Sequence, residues 1–215
     1  MKGSGLSNTL KKTYKKLFKA FSRQYWWPGR TQFEIIVGAI LTQNTAWTNV
    51  EKAIKNLKKA KVLYPRKMHD LSERELAKLI RPAGYFNIKA KRLKHFLNYL
   101  FDKYSGRLDK LFKKRTDKLR RELLLVNGVG METADSILLY AGSHPIFVVD
   151  TYTKRILSRH MIISEDANYD EIQDIFMKNL PHDVKIFNEY HALFVKLGKD
   201  FCRNRKPLCS KCPMM

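Results

Sequence analysis

The sequence has 215 residues, enough for one large domain or two small lobes that each bury a hydrophobic core. Lysine and arginine number 42 against 20 aspartate and glutamate residues, so the net charge of +22 predicts an anionic partner. Apolar residues make up 44% of the chain, which excludes a disordered tail, and no apolar run is long enough for a membrane span.

The basic residues are spread along the whole chain and do not form a detachable arm. Nucleic acid is therefore the favoured partner, with a membrane surface or a merely solubilising surface as the alternatives. The N-terminal segment lacks the apolar core of a signal peptide. We therefore expect an intracellular protein of the cytoplasm or nucleoid that does not bind membranes.

Helical periodicity dominates the chain from its start. An apolar stripe over 10–21 predicts a first helix, and the almost wholly apolar segment 33–41 predicts a central helix that is buried on most sides. Thr48 is predicted to cap the next helix, and Ser72 with Glu75 has the spacing of a capping box. No segment alternates as a strand would, and no repeat is visible, so the predicted fold class is all-α. Further helices are predicted at 88–104, 119–125, 131–141, 151–160, 169–179 and 184–197.

The segment Asn-Gly-Val-Gly at 127–130 lies between two of these helical patterns. Two glycines this close together allow backbone N–H groups to face outward, toward the positive end of the following helix. Such an arrangement binds a phosphate oxygen without reading base sequence. An ordinary tight turn between two helices, which also favours glycine, is the alternative.

Several motifs carry a family resemblance. Residues 125–134, followed by Pro145 and the segment Val-Val-Asp-Thr at 148–151, resemble the helix-hairpin-helix and Gly/Pro-Asp signature of the endonuclease III superfamily of DNA glycosylases. Segments 40–45 and 84–90 are similar to two further motifs of that family, and they follow in the family's order. The resemblance implies an HhH-GPD fold with two helical lobes and a DNA-binding cleft. It assigns a six-helix domain to 30–135 and a second lobe to 1–29 and 136–215.

Asp150 matches the essential aspartate of the family. Cleavage of an N-glycosidic bond builds positive charge on the sugar, and a fixed carboxylate can stabilise that charge or activate the attacking water. Asp150 also precedes a predicted helix, so an N-cap is its alternative role. Bifunctional relatives carry a lysine two residues after the second hairpin glycine, where this chain has Glu132, which cannot form an imine. The resemblance therefore implies a monofunctional enzyme without AP lyase activity, and Lys154 is the candidate for a surrogate lysine.

Trp26-Trp27-Pro28 and Trp47 resemble residues of the N-methylpurine (3-methyladenine) glycosylase branch, which also lacks the lysine. A ring-methylated purine is cationic, and an aromatic face attracts a cation. Stacking and shape can then select the flipped base. For Trp26 and Trp27, packing in the hydrophobic core is the alternative role. The predicted base pocket consists of Trp26, Trp27, Pro28, Trp47 and Glu132.

The remaining DNA contacts are also implied by the resemblance. Gln43 is similar to the wedge that fills the space left by the flipped base, and Tyr85 is placed to stack on the opposite strand. A satisfied polar residue and a core tyrosine are the respective alternatives. Relatives also bind a monovalent cation through carbonyls of the hairpin, which makes the same site a candidate here. Lys89, Gly128 and Gly130 are predicted to contact phosphate, with a solvated side chain as the alternative for Lys89, and Thr133 is also predicted to bind DNA.

Cys202, Cys209 and Cys212 are similar in spacing to the first three ligands of the family's [4Fe–4S] loop. Disulfides are not expected in an intracellular protein. The family's fourth cysteine would fall five residues after Cys212, beyond Met215. We expect a cluster without catalytic role in a longer natural chain; an incomplete or lost cluster, or zinc on three cysteines and a histidine, is the alternative.

The function predicted from these residues is base excision from damaged double-stranded DNA by a monomer, with alkylated purines as substrates. Two alternatives stay open. The same fold could act on mismatched or oxidised bases, as a glycosylase/AP lyase of the endonuclease III type. A non-catalytic DNA-binding hairpin module is the other, although such a module needs neither Asp150 nor an aromatic pocket.

Overall fold

The structure is a computed structural model, and it describes residues 3–215. No strand occurs within that range, so the predicted all-α class is confirmed. None of the helices in the described residues is long and apolar enough to cross a membrane. In chain order the elements are α1 (Gly3–Phe21), α2 (Gln32–Leu41), α3 (Trp47–Lys59), α4 (Pro65–Asp70), α5 (Glu73–Leu79), a 3-10 turn (Arg81–Ala83), α6 (Phe86–Tyr104), α7 (Leu108–Leu111), α8 (Thr116–Leu124), α9 (Met131–Ser136), a π-helical turn (Ile137–Ala141), α10 (Thr151–Arg159), α11 (Tyr169–Asn179), α12 (Val184–Asp200) and a second 3-10 turn (Cys209–Lys211).

The chain divides into two compact units. The central unit is Pro28–His144, and the terminal unit combines Met1–Trp27 with Pro145–Met215. The second boundary differs from the one placed at 135/136 from the sequence. Helix α9 runs directly into the π-helical turn, and that turn packs against α2, so the whole stretch up to Ala141 lies in the central unit.

Helix caps follow the sequence closely at one predicted position and depart from it at another. The Ser72 hydroxyl accepts the Glu75 N–H at 3.2 Å, and the Glu75 carboxylate accepts the Ser72 N–H at 2.8 Å, so the capping box is confirmed. The predicted Thr48 cap is wrong. Helix α3 already begins at Trp47 with Ala46 as its N-cap, so Thr48 lies inside the first turn.

The central unit is built around α2. Ile36, Val37, Ile40 and Leu41 are fully buried, as the apolar segment predicted. Helix α2 packs against α3, α6, α9 and the π-helical turn. Because α2 is enclosed on several sides, the loop that follows it starts from a rigid support.

The terminal unit is built around α12, which packs against α1 and α10. An aromatic cluster fills its core: the rings of Phe147 and Phe176 stack with centroids 3.6 Å apart, and Tyr190 lies edge-on to both. Gly198 allows α10 to approach α12 closely, since a Cβ at that position would lie 2.3 Å from Cδ1 of Tyr152. The chain then enters α10 from an extended segment whose residues 146–149 are buried.

Candidate active site and nucleic-acid interface

Asp150 ends the extended segment and caps α10 in the terminal unit. Its Oδ1 accepts the backbone N–H of Thr153 at 2.7 Å, so the capping role expected from the sequence is present. The side chain is only 10% exposed. A cap fixes the rotamer of the carboxylate, and a fixed carboxylate is what stabilisation of a developing charge requires. The two roles are therefore compatible.

His191 of α12 faces the other oxygen of this carboxylate. Its Nε2 lies 3.4 Å from Oδ2 of Asp150, and its side chain is 6% exposed. Burial raises the pKa of Asp150, but the charge of His191, together with the Thr153 amide, holds that pKa below its usual range. The carboxylate is therefore ionised at neutral pH. Sequence reasoning missed His191; its only signal was a histidine on the apolar face that also carries Phe187 and Phe194.

The two hairpin glycines differ in backbone conformation and in the space available for a side chain. Gly128 has φ of +89°, and a Cβ there would lie 2.2 Å from Cγ of Arg92, so both backbone and space require glycine. Gly130 has an ordinary φ of −88° and is exposed, and a Cβ at that position would meet no other atom within 4 Å. Gly130 thus leaves open space beside the backbone at the start of α9.

Gln43 is tied to the hairpin through both ends of its amide. The Nε2 group donates to the Gly128 carbonyl at 3.0 Å and to the Thr133 hydroxyl at 2.9 Å, and Arg92 donates to Oε1. Thr133 is 7% exposed. The Thr133 hydroxyl is thus buried and engaged by Gln43, so any contact of Thr133 with DNA would have to come from its backbone.

The position of Lys89 also corrects the sequence-based assignment. Its side chain is 1% exposed, so it contacts neither solvent nor a phosphate. Its ammonium group donates to the carbonyls of Leu41 and Ala83, each at 2.8 Å, and to the Thr45 hydroxyl at 2.7 Å. Burial and the nearby charge of Arg92 lower the pKa of Lys89 to about 8. Three protein acceptors take the place of water around this cation.

These bonds make Lys89 a cross-link between two loops. Leu41 and Thr45 flank Gln43, and Ala83 lies just before Tyr85. Tyr85 is 69% exposed and adopts a left-handed backbone conformation as the N-cap of α6, so the core alternative for Tyr85 is wrong. One buried ammonium thus fixes the segments that carry both predicted DNA-inserting side chains.

The predicted base-pocket residues are distributed over both units. In the terminal unit the rings of Trp26 and Trp27 meet edge-to-face with centroids 5.6 Å apart, and the Lys199 ammonium lies 5.9 Å from the Trp26 ring. In the central unit Trp47 is half-buried, and its indole N–H donates to Glu51 at 2.9 Å. Pro28 and Glu132 are exposed.

The three cysteines lie at the C-terminal end of the terminal unit. Cys202 is buried, with its Sγ 3.5 Å from a guanidinium nitrogen of Arg159, whereas Cys209 is exposed and Cys212 is half-buried. Within residues 3–215 no group of three His, Cys, Asp or Glu side chains is arranged to hold a metal ion. The donors have the right chemistry for iron, but the described residues do not gather them into a metal site.

Most of the chain is similar in sequence to known DNA repair proteins. Residues 37–182 match the family profile of the HhH-GPD superfamily base excision DNA repair protein. A Methanocaldococcus jannaschii protein, provisionally named a DNA repair glycosylase, is 53% identical over 94% of this chain and 92% of its own length. Endonuclease III of Thermotoga maritima is 29% identical over 84% of this chain and 79% of its own length.

Solved structures agree with these relatives. A trapped covalent intermediate of endonuclease III with DNA superposes with a TM-score of 0.83 at 25% identity, covering 97% of this chain and 93% of that one. The H. pylori 3-methyladenine DNA glycosylase bound to 1,N6-ethenoadenine gives a TM-score of 0.76 at 28% identity, covering 93% and 98%. The chain therefore belongs to the HhH-GPD superfamily of base excision DNA repair proteins, and it is a DNA repair glycosylase of that superfamily.

Proposed function

We propose that this chain is a monofunctional glycosylase that removes alkylated purines, such as 3-methyladenine, from double-stranded DNA. The observation that carries the proposal is the buried, ionised carboxylate of Asp150, held by a backbone N–H on one oxygen and facing His191 on the other. A module that only binds DNA gains nothing from a buried charge, which is costly to keep in a protein interior.

In the proposed reaction the C1′–N bond breaks and its electron pair leaves with the base. Positive charge builds on the sugar, and the Asp150 carboxylate stabilises that charge. A water oxygen then bonds to C1′, and its proton passes to the carboxylate or to solvent. The products are the free base and an intact abasic site. A cationic alkylated purine leaves as a neutral base, so this reaction needs little help from a general acid.

The monofunctional assignment rests on Glu132. This residue occupies the position of the lysine that forms a Schiff base in bifunctional relatives, and a carboxylate cannot form an imine. Glu132 lies exposed in the first turn of α9. The rival assignment is a glycosylase/AP lyase that uses Lys154. This lysine lies in α10, four residues after Asp150 in the sequence.

Aromatic residues support the choice of alkylated purines. An aromatic face attracts a cation by about 0.5–2 kcal/mol. Trp27 and Trp47 are both half-buried, and we assign base recognition first to these two rings, because Lys199 already lies beside Trp26. Trp26, Pro28 and Glu132 complete the proposed set of base contacts. The similarity to the H. pylori 3-methyladenine DNA glycosylase points in the same direction.

We assign DNA binding to the hairpin and to the exposed loop residues of the central unit. Gly128 and Gly130 are proposed to present backbone N–H groups to a phosphate, and Tyr85 to stack on the strand opposite the lesion. Gln43 remains a proposed wedge, although it must first release its bonds to Gly128 and Thr133. The proposed partner is damaged duplex DNA, bound by a monomer.

A [4Fe–4S] cluster on Cys202, Cys209 and Cys212 is also a proposal. Thiolate donors and their spacing support it, and no step of the reaction passes through it. Iron and acid-labile sulfide in the purified natural protein would establish the cluster, and the lack of both would exclude it.

The decisive experiment incubates the protein with duplex DNA that contains 3-methyladenine and 7-methylguanine, then separates the released bases by chromatography. We expect free methylated purines and full-length strands that break only after alkali. Parallel duplexes carry 8-oxoguanine, oxidised pyrimidines or a mismatched thymine. Release from these duplexes alone would overturn the alkylated-purine assignment.

The same reactions run with borohydride test monofunctionality. Wild-type protein should form no covalent DNA adduct, whereas Glu132→Lys restores an amine at the lysine position and should form one. An adduct with wild type, lost in Lys154→Gln, would establish the rival AP lyase. Trp47→Ala should reduce base release more than DNA affinity, and an equal loss of both would remove Trp47 from base recognition.

A further inference from the structure

The pair formed by Asp150 and His191 is not explained by helix capping or by core packing alone. His191 sits on α12, far along the chain from Asp150, and yet Nε2 is the atom that faces the second carboxylate oxygen at 3.4 Å. We propose that His191 is a positioning residue for the reaction, which holds Oδ2 of Asp150 in one orientation and keeps it available as an anion. This inference rests on the proposed catalytic role of Asp150.

The geometry divides the work between the two carboxylate oxygens. The Thr153 N–H binds Oδ1 at 2.7 Å, which fixes one end of the group. A carboxylate held at one oxygen can still rotate, and a second donor on the other side restricts that rotation. His191 supplies this second restraint at Oδ2. Asp150 therefore keeps one orientation before substrate arrives, as efficient charge stabilisation requires.

His191 also affects the protonation state of Asp150. A carboxylate with a side chain only 10% exposed tends to take up a proton, because burial penalises its charged form. The charge of His191 opposes that tendency and is the strongest contribution that does so. Without His191, the Thr153 amide alone would have to offset the burial of Asp150.

Other titratable groups lie on the helices that pack against α12. On α10, burial and the Asp150 carboxylate raise the pKa of Tyr152, and the charge of Arg155 opposes that rise. Helix α1 contributes Tyr14, which lies edge-on to Tyr190 and near Glu189. The ring of Phe147, 6.5 Å away and nearly perpendicular, covers the imidazole with apolar surface. His191 is thus the group best placed to set the charge of Asp150.

The test compares His191→Gln, which keeps a hydrogen-bond donor without the charge, with His191→Phe, which keeps the ring without a donor. Single-turnover release of 3-methyladenine is measured from pH 4.5 to 9 on a defined duplex, beside the DNA affinity. For His191→Phe we expect the single-turnover rate at pH 7 to fall by about 10- to 100-fold. The acid limb of its pH–rate profile should also move to higher pH. His191→Gln should lose less, and both variants should bind DNA as wild type does.

An unchanged rate and an unchanged acid limb in His191→Phe would overturn the proposal, and so would a uniform loss without a shift of the limb. A second measurement does not depend on catalysis. NMR titration of the Asp150 carboxyl group should show a higher pKa in His191→Gln than in wild type, because the charge that opposes the burial of Asp150 is gone. Identical titrations would refute the coupling.

These experiments distinguish a failure of the proposed function from a failure of the proposed role of His191. Absence of methylated bases with wild-type protein would refute the substrate assignment, while the NMR comparison would still decide whether His191 is coupled to Asp150. Unreduced base release by Asp150→Asn would refute the catalytic role itself, and the positioning role of His191 with it.

Discussion

In the terminal unit, Asp150 and His191 are two buried titratable side chains that face each other, and His191 lowers the pKa of Asp150. In the central unit, Lys89 and Gln43 reach instead toward backbone carbonyls and hydroxyls of neighbouring loops. The first arrangement sets the charge of a reacting group, whereas the second sets the shape of a surface. Variants of these two arrangements should therefore affect different measurements: reaction rate for the Asp150–His191 pair, and stability or DNA affinity for the loop and hairpin contacts of the central unit.

The largest expected effect is on the rate, in Asp150→Asn. Asparagine is also a good N-cap, so the helix start should persist while the negative charge disappears. Single-turnover base release should fall by about 10²- to 10⁴-fold with DNA affinity largely retained. Asp183→Asn is the matched control, since Asp183 caps α12 through the Ile186 N–H and is exposed. Equal losses in both variants would reduce Asp150 to a structural cap.

Lys89→Met should mainly affect stability. It removes the ammonium that three acceptors share, and buried acceptors without a donor cost free energy. We expect the free energy of unfolding to fall by about 2–4 kcal/mol. Lys91→Met, on the exposed side of the same helix, should change it by less than about 0.5 kcal/mol. Calorimetry of both variants measures this difference, and equal stabilities would mean that the cross-link contributes nothing.

Gly128→Ala should weaken DNA binding about tenfold, because a Cβ at this left-handed position strains the turn and displaces Arg92. Gly130→Ala should change the affinity by less than about twofold, since the space around that position is open. Fluorescence anisotropy with a labelled duplex compares them. Base release at saturating protein should match wild type in both; a rate loss confined to Gly128→Ala would link the hairpin to the chemistry.

The smallest expected effect concerns Glu122, which accepts hydrogen bonds from Lys114, Tyr104 and Tyr99 in the central unit. Burial raises its pKa, but these bonds outweigh burial and lower the pKa to about 2. The stabilisation is therefore present above about pH 4.5 and is lost as the pH falls toward 2. Glu122→Gln should be less stable than wild type by about 0.5–1.5 kcal/mol at pH 7. Thermal unfolding at pH 7 and pH 3 should show that gap narrowing, whereas exposed Asp117→Asn should show almost no gap at either pH.

Local signals in the sequence predicted the features that depend on near neighbours. The capping box of Ser72 and the N-cap of Asp150 need only a partner three residues away, and both were predicted correctly. Lys89 and Gln43 were assigned to DNA through the family resemblance, with a solvated side chain and a satisfied polar residue as the respective alternatives. Their acceptors come from other segments of the central unit, and no sequence period marks such partners. His191 escaped notice for the same reason, since its partner lies in a different helix.

Gly198 has a consequence for the spacing of the Asp150 and His191 side chains. It follows His191 by seven residues, which is about two helical turns, so both positions lie on one face of α12. That face meets α10, where the Tyr152 ring occupies the space that a Cβ of residue 198 would need. A single methyl group in Gly198→Ala would act as a spacer between the helices and widen the carboxylate–imidazole gap. The variant should move the acid limb of base release in the same direction as His191→Phe, although neither Asp150 nor His191 has been altered.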